Sequence, residues 1–371
     1  MSRLNINNLT NENEDGSPRI SGISTFSSTA FLEAPKGTTA QRPENVAPGM
    51  IRFNTDSGHL EYYTGEFWDE VLVANNTLDG GNRGVHMGGY TTTNVDTMDY
   101  ITISTLGNAI DFGNGNTRRK QSALGSRTRG VHAGGISSGS TTSIGFITFA
   151  STGDSAVFGT LSSARNAAQA MSDGVRGLFA GGIDSAPANA DINAITIATE
   201  GTRYDFGDLA TAVSDGSSCA SSVRGVVLGG TSDGGITLFN VIQYVTISTD
   251  GNSQDFGDII TARETGANGA SNSTRGLFAG GASPGKVNTI EFITIASTGN
   301  SQDFGDLLGT KNLGSACSSP TRVVFAGGYN PANLNVMEYV QIPTTGNSID
   351  FGDLSETRRS TASCSNGHGG L

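Results

Sequence analysis

Cysteine, tryptophan and charge are all scarce in this 371-residue chain: three Cys, one Trp, and Asp, Glu, Lys and Arg at only 15% of positions. So few cysteines, and an odd number, do not make a disulfide scaffold. Cys219, Cys317 and Cys364 each stand five residues before Arg224, Arg322 and Gly369, a place that Leu124, Met171 and Ala270 fill elsewhere. They read as small buried hydrophobes rather than metal ligands or redox groups. No extended run of Ala, Leu, Glu, Lys or Arg occurs, which argues against long helices. There is no run of about 18 apolar residues, and "MSRLNINNLTNENEDG" has no apolar core of the kind a signal peptide needs, so a soluble chain is expected. Positive charge is the scarcer sign, 22 Lys and Arg against 34 Asp and Glu, for a net charge of -12. That balance argues against sequence-independent nucleic-acid binding, which needs clustered cations, and is accounted for by solubility. His59, His86, His132 and His368 show no metal-ligand spacing, and neither a Gly-x-Ser-x-Gly elbow nor a P-loop is present. Neither an enzyme, a metal nor a cofactor is expected.

What the chain has instead is glycine, 53 residues of it, and repetition. "RGVHMGGY" at Arg83 returns as "RGVHAGGI" at Arg129, "RGLFAGGI" at Arg176, "RGVVLGGT" at Arg224, "RGLFAGGA" at Arg275 and "RVVFAGGY" at Arg322. Subtracting the arginine numbers gives spacings of 46, 47, 48, 51 and 47 residues, the range of propellers and large solenoids. Each copy reads as four strands. The Gly-Gly run is followed by a variable loop and a β-rich run such as "IEFITI". A Gly/Asn turn such as "STGNS" then leads to "QDFGDL", and a small-residue run such as "SACSS" returns to the next arginine. The tripeptide Asp-Phe-Gly holds magnesium in protein kinases, but a motif that recurs every blade belongs to the architecture. Its Phe (Phe206, Phe256, Phe304, Phe351) is expected to pack between sheets, its Gly to permit a bend or bulge, and its flanking Asps to accept backbone or Arg hydrogen bonds.

From Arg83 to Leu371 the chain resembles the kelch family of β-propellers, with Phe in "DFGDL" where kelch repeats carry an outer-strand Trp. The resemblance implies an all-β, six-bladed propeller of four antiparallel strands per blade. Small-residue runs near Gln121, Ala167, Asp215, Gly266, Gly314 and Ala362 supply six inner strands, the last of them spare. "ASCSNGHGGL", Ala362 to Leu371, is therefore expected to dock beside "RGVHMGG" and close the ring, removing an open edge. A seventh blade recruiting Val73 to Leu78 is the alternative.

Residues 1–75 lie outside the repeat. Glu33 to Val71 reads as a small β-meander with apolar Ile51, Phe53, Leu60, Tyr62, Phe67 and Trp68, too few for a core of its own, which points to packing on copies of itself or on another protein. Gly37, Thr38, Thr39, Arg42, Pro43, then Pro48 to Thr55, then Tyr62, Gly65 and Trp68 resemble a short module of tail-fibre proteins of tailed bacteriophages. The whole layout is similar to virion structural proteins of marine cyanobacterial phages. The resemblance divides the chain into an attachment arm (1–34), a tail-fibre-type module (35–75) and a propeller (76–371). It implies a virion location, other virion proteins as partners of residues 1–75, and a trimer.

Loops after the Gly-Gly runs vary where the strands do not, as binding loops on a rigid scaffold do. Tyr90, Phe239, Tyr329, Asn330 and Asn333 are the ligand-binding candidates, aromatic faces beside amides being suited to sugars; Ile51, Phe53, Tyr62, Phe67 and Trp68 are the attachment or oligomerisation candidates. Crossover cations Arg118, Arg119, Arg165, Arg263, Lys311 and Arg358 are expected towards the same face, paired with Asp208, Asp258, Asp306 and Asp353. The expected function is a tail-fibre or adhesin component whose propeller binds a host-surface glycan or protein, without membrane insertion. A structural or decoration protein of head, neck or tail, and a glycan-acting enzyme, are the alternatives.

Overall fold

The computed structural model describes residues 34–71, 81–201, 203–266 and 268–367. The expected arm, apart from its last residue, lies outside them, as do Val73 to Leu78 and His368. The chain divides into two compact units, 1–74 and 75–371. Among the described residues there is no α-helix, one short 3-10 turn at Thr39–Gln41, and otherwise sheet, and so no helix long and apolar enough to cross a membrane.

The described residues of the first unit form one four-stranded sheet: Lys36–Gly37, Ile51–Asn54, His59–Tyr63 and Trp68–Glu70. Its first pair is parallel and the rest antiparallel. Alternation along Ile51–Asn54 puts Arg52 and Asn54 inward and leaves Ile51 and Phe53 outward.

Among the described residues the second unit holds six four-stranded antiparallel sheets, consistent with propeller blades, and a two-stranded one, Ala282–Ser283 with Gly285–Lys286. Each four-stranded sheet runs from a small-residue strand to a DFGD-type strand. The fourth sheet, for example, is Ser217–Ala220, Arg224–Leu228, Val241–Thr246 and Gln254–Asp258. The first is composite: Ala362–Ser365 pairs antiparallel with Arg83–Tyr90, followed by Asn94–Thr102 and Ile110–Asn114.

Three recurring contacts join neighbouring sheets, and each explains a feature of the repeat. The first explains "TGN" and "DFGD" together. Asn252 Oδ1 accepts from Asp208 N, Asn300 Oδ1 from Asp258 N and Asn347 Oδ1 from Asp306 N, each at 3.0 Å. The glycine before each Asn donates to the preceding sheet's DFGD phenylalanine carbonyl, as Gly299 N does to Phe256 O at 2.7 Å. Gly257, with φ +149°, must be glycine: a methyl there would stand 2.5 Å from the Gly299 carbonyl. The pairing also slips by one residue at that point, Ile242 opposing Gly257 while Gln243 opposes Asp255, the bulge expected of this glycine. The Asp backbone, rather than its carboxylate, makes the clasp.

The second contact explains "Arg-Gly". Arg224 Nη1 donates to Ile295 O at 3.1 Å and Ala296 O at 2.8 Å in the next sheet while its guanidinium lies 4.6 Å from the Tyr244 ring centre. The glycine is required by packing: a methyl on Gly130 would sit 2.6 Å from Cys364 Sγ, and one on Gly225 2.8 Å from Met171 Sδ. In the sixth sheet the glycine is replaced by Val323, and the facing position, Cys219 or Met171 elsewhere, is Ala270; Val323 and Ala270 share one buried cluster. Volume is exchanged between sheets so that the gap stays filled.

The third contact corrects the sequence expectation for the crossover cations. Arg118, Arg165, Arg263, Lys311 and Arg358 are buried between sheets. None pairs with Asp208, Asp258, Asp306 or Asp353; four pair with acids of the strand after the variable loop. Arg263 pairs with Glu291, Lys311 Nζ lies 2.7 Å from Glu338, and Arg358 Nη2 lies 2.7 Å from Asp99. Arg165 Nη2 reaches Asp191 at 3.4 Å, and Arg118 donates to the carbonyls of Gly134 and Ser143. In the fourth sheet the crossover residue is Val213 and the acid is replaced by Gln243, whose amide bonds Thr211 and Ser253 instead. Where the acid is missing the cation is either replaced, as at Val213, or held by carbonyls, as at Arg118, in line with the cost of a lone buried ion.

Between the sheets lie the apolar clusters, with Phe112, Phe158, Phe206, Phe256, Phe304 and Phe351 all buried. Most meet an aromatic of the adjacent strand edge-to-face, as Tyr244 and Phe256 do at 5.9 Å between ring centres.

Candidate functional site

The variable loops and the crossovers meet on one face. The residue after each Gly-Gly bridges a crossover residue: Tyr90 with Arg359, Ile136 with Arg119, Ile183 with Asn166, Thr231 with Ser214, Ala282 with Glu264, and Tyr329 with Asn312. A single residue further along each crossover stands in the left-handed region. Lys120, Ala167, Asp215, Leu313 and Ser360 have φ between 50° and 57°, and Gly266 has 57°. Outside glycine this conformation costs on the order of 1 kcal/mol per residue and persists where surroundings over-determine it. Here backbone bonds do so: Lys120 N to Ser360 O, Ala167 N to Lys120 O, Asp215 N to Ala167 O, Gly266 N to Asp215 O and Ser360 N to Leu313 O. Lys120 Nζ contacts both Asp215 carboxylate oxygens, at 2.8 and 3.0 Å. The cavity these residues line is only about 20 Å³, room for one water.

Larger features lie beside it. Tyr90 is met by Arg119 at 5.1 Å and Arg359 at 5.0 Å; Tyr329 is met by Arg359 at 4.5 Å and the Lys286 ammonium at 4.8 Å. Lys286, Tyr329, Arg359, Tyr90 and Arg119 thus form a ladder of alternating cations and rings. Asn94 Oδ1 accepts from Arg119 at 2.9 Å, and Asn333 Nδ2 donates to the carbonyls of Tyr90 and Thr91 at 3.1 and 2.7 Å.

Of the five ligand-binding candidates, the structure brings Tyr90, Tyr329 and Asn333 together. Asn330 is beside them but its amide is committed to Thr310. Phe239 is elsewhere, packed against a buried cluster of the third and fourth sheets. Both tyrosines are in contact with cations, so they do not offer the open ring faces on which a sugar stacks. Arg359 and Lys286 were not singled out from sequence. The signal for Arg359 is the doubled "TRR" at 117–119 and 357–359, confined to the crossovers flanking Tyr90; Lys286, in a variable loop, has none.

In the first unit, Ile51, Phe53, Tyr62 and Phe67 are exposed. Trp68 departs from the expected set: it shares the opposite face of the sheet, 5.5 Å from Tyr63 and 5.9 Å from the Arg52 guanidinium. That face is ionic. Glu61 is fully buried, with Arg42 Nη2 at 2.6 Å, Arg52 Nε at 3.5 Å and Asn54 Nδ2 at 3.2 Å. The hydrogen bond from Arg42 holds the Glu61 carboxyl below the usual carboxylate range.

Buried His86 and His132 are neutral, burial and the nearby Arg358 and Arg118 lowering their pKa to about 3 and about 4. His86 Nδ1 contacts Ser315 Oγ, and His132 bridges Gln121 and Ser155. Burial raises the Cys317 thiol to about 12 and raises Cys219 and Cys364 too, leaving all three unreactive. Among the described residues no group of three or more His, Cys, Asp and Glu is placed to hold a metal. A cavity of about 240 Å³ lies under the turn of the fourth sheet, beside Tyr244, Asp250 and Asn252; Asp250 there is paired with Arg176. No protein-family model matches the chain, and no curated protein matches it.

Proposed function

We propose that residues 76–371 form a six-bladed β-propeller closed by the C-terminal strand, and that the protein is a phage virion component, a tail-fibre or adhesin subunit whose propeller binds the host surface. Inter-sheet contacts that return to their start support the ring. Arg83 reaches Phe149 O, Arg129 reaches Ile197 O, and the series ends with Arg322 on Ile103 O, back in the first sheet. The turn clasp does the same, Asn108 Oδ1 accepting from Asp353 N at 3.0 Å. Inner-strand serines run in the same order, Ser365 Oγ to Ser318 O and Ser318 Oγ to Ser271 O.

The observation that carries the binding reading is the ladder. It places variable-loop side chains, half-exposed, on backbone fixed by the crossover bridges, and leaves its three cations without a carboxylate partner among the described residues. Attachment to neighbouring virion proteins falls to residues 1–75, where Ile51, Phe53 and Tyr62 stand outward on the sheet; self-association through them makes a trimer, with no part for nucleic acid or membrane insertion.

The test is gold-labelled antibody imaging of intact phage particles with serum raised against residues 83–371. Label on fibres or the tail tip is the expected result. Label on capsid, neck or tail tube supports a decoration role, and its absence from every particle overturns the virion reading.

A further inference from the structure

We infer that the ladder of Lys286, Tyr329, Arg359, Tyr90 and Arg119 is a binding site for acidic polysaccharide, a glycan bearing carboxylate or sulfate groups. This names the ligand class for the binding face proposed above and rests on that reading.

The argument starts from charge. The chain carries 34 acidic and 22 basic residues, and its buried cations Arg263, Lys311 and Arg358 are each matched by an acid. Arg119, Arg359 and Lys286 are the exception on this face: partly exposed, adjacent, and held by rings rather than carboxylates. An aromatic ring attracts a cation through its quadrupole but leaves the full positive charge and the remaining N–H donors directed to solvent. An anion arriving there displaces no internal ion pair.

The arrangement is also preorganised. Arg359 stands between two tyrosines, and its backbone is tied to Tyr90 in both directions, N to O at 3.2 Å and O from N at 2.9 Å. Arg119 is held by Asn94. A planar guanidinium fixed in this way presents paired donors suited to the two oxygens of a carboxylate or sulfate. Two of the remaining variable loops carry acids instead, Asp184 and Asp233. Asp233 is held below the usual range by hydrogen bonds from Thr237. A row of positive groups fits a chain of spaced anions lying along it, and it fits a neutral sugar stack poorly because the tyrosines are already in contact with cations.

The experiment uses the full chain over immobilised polygalacturonate, dextran sulfate and neutral dextran at low and moderate salt. We expect binding to one or both polyanions, weaker as salt rises, and none to dextran. Arg359→Gln should weaken it at least tenfold with an unchanged melting temperature, Lys286→Gln several-fold, and Asp184→Asn should not weaken it. If Arg359→Gln does not fold, Lys286→Gln combined with Arg119→Gln carries the test. Competition by free galacturonate against free sulfate then distinguishes the two anions. Equal binding to dextran, polyanion binding indifferent to these substitutions, or no polyanion binding overturns the inference. The antibody imaging is independent: fibre label without polyanion binding removes the ligand class and leaves the adhesin, whereas polyanion binding without particle label keeps the site and removes the virion role.

Discussion

The two units of this protein solve the burial problem in opposite ways. In the repeat unit, apolar side chains fill the space between sheets and every buried charge is set against a partner, a carbonyl or an amide. In the 1–74 unit the single sheet turns an ionic network inward, Glu61 between Arg42 and Arg52, and shows Ile51, Phe53 and Tyr62 outward. A sheet of so few residues gains little from burying its own apolar side chains against itself. Among the described residues each repeat sheet has neighbouring sheets within its own unit, whereas the small unit shows a single sheet.

The contrast can be broken most severely at the closing strand. Truncation after Thr361 removes the partner of Arg83–Tyr90, leaving an unpaired edge and exposing the core around Cys364. Loss of soluble folding is expected in expression and melting experiments, and an unchanged transition would refute the ring. Next comes charge matching. Glu291→Ala strands buried Arg263 and should cost about 3–5 kcal/mol in denaturant unfolding. Adding Arg263→Val, with Gln at 291, reproduces the Val213 and Gln243 solution and should recover most of the loss. Volume matching is a smaller effect. Gly276→Val, against Cys219, should cost about 1–3 kcal/mol by overpacking, and Cys219→Ala should restore stability, as Ala270 accommodates Val323.

Acid should loosen the repeat unit through its histidines. His86 and His132 are held neutral with pKa lowered to about 3 and about 4, whereas the unfolded chain takes up protons near pH 6.5. Between those values the unfolded state binds more protons, so stability is full above about pH 6.5 and falls as the pH drops towards 4. His86→Gln with His132→Gln should flatten that slope in a melting series across this window. The smallest stability effect is expected in the other unit: Ile51→Ser with Phe53→Ser, both exposed, should change unfolding by about 0.5 kcal/mol or less. The same pair should reduce the mass seen by light scattering if this face joins copies of the chain, and unchanged mass would remove it as the contact.

How much of this was legible beforehand varies by residue. The six strand sets, the bulge at Gly257 and the buried thiols followed from period and composition, because each is a local rule repeated. Tyr90, Tyr329 and Asn333 are legible as loop residues, but the contacts of Tyr90 with Arg359 and of Tyr329 with Lys286 are not, since those partners come from other repeats. Alternation read along the chain groups Trp68 with Phe67 and Tyr62, but the turn before it changes the parity, and the crossover cations meet the acids nearest in space rather than in sequence because burial selects them.

The sequence by itself determined the unit that repeats: a period of 46 to 51 residues, glycine where backbones touch, and apolar positions at strand spacing. Only tertiary structure decided which residues of different repeats meet, because that depends on sheets stacked side by side rather than on neighbours along the chain. Val323 against Ala270, Arg358 against Asp99 and Arg359 between two tyrosines are all contacts across such a boundary. Each joins residues dozens to hundreds of positions apart, where volume and charge must balance in three dimensions and the order of the chain imposes no constraint.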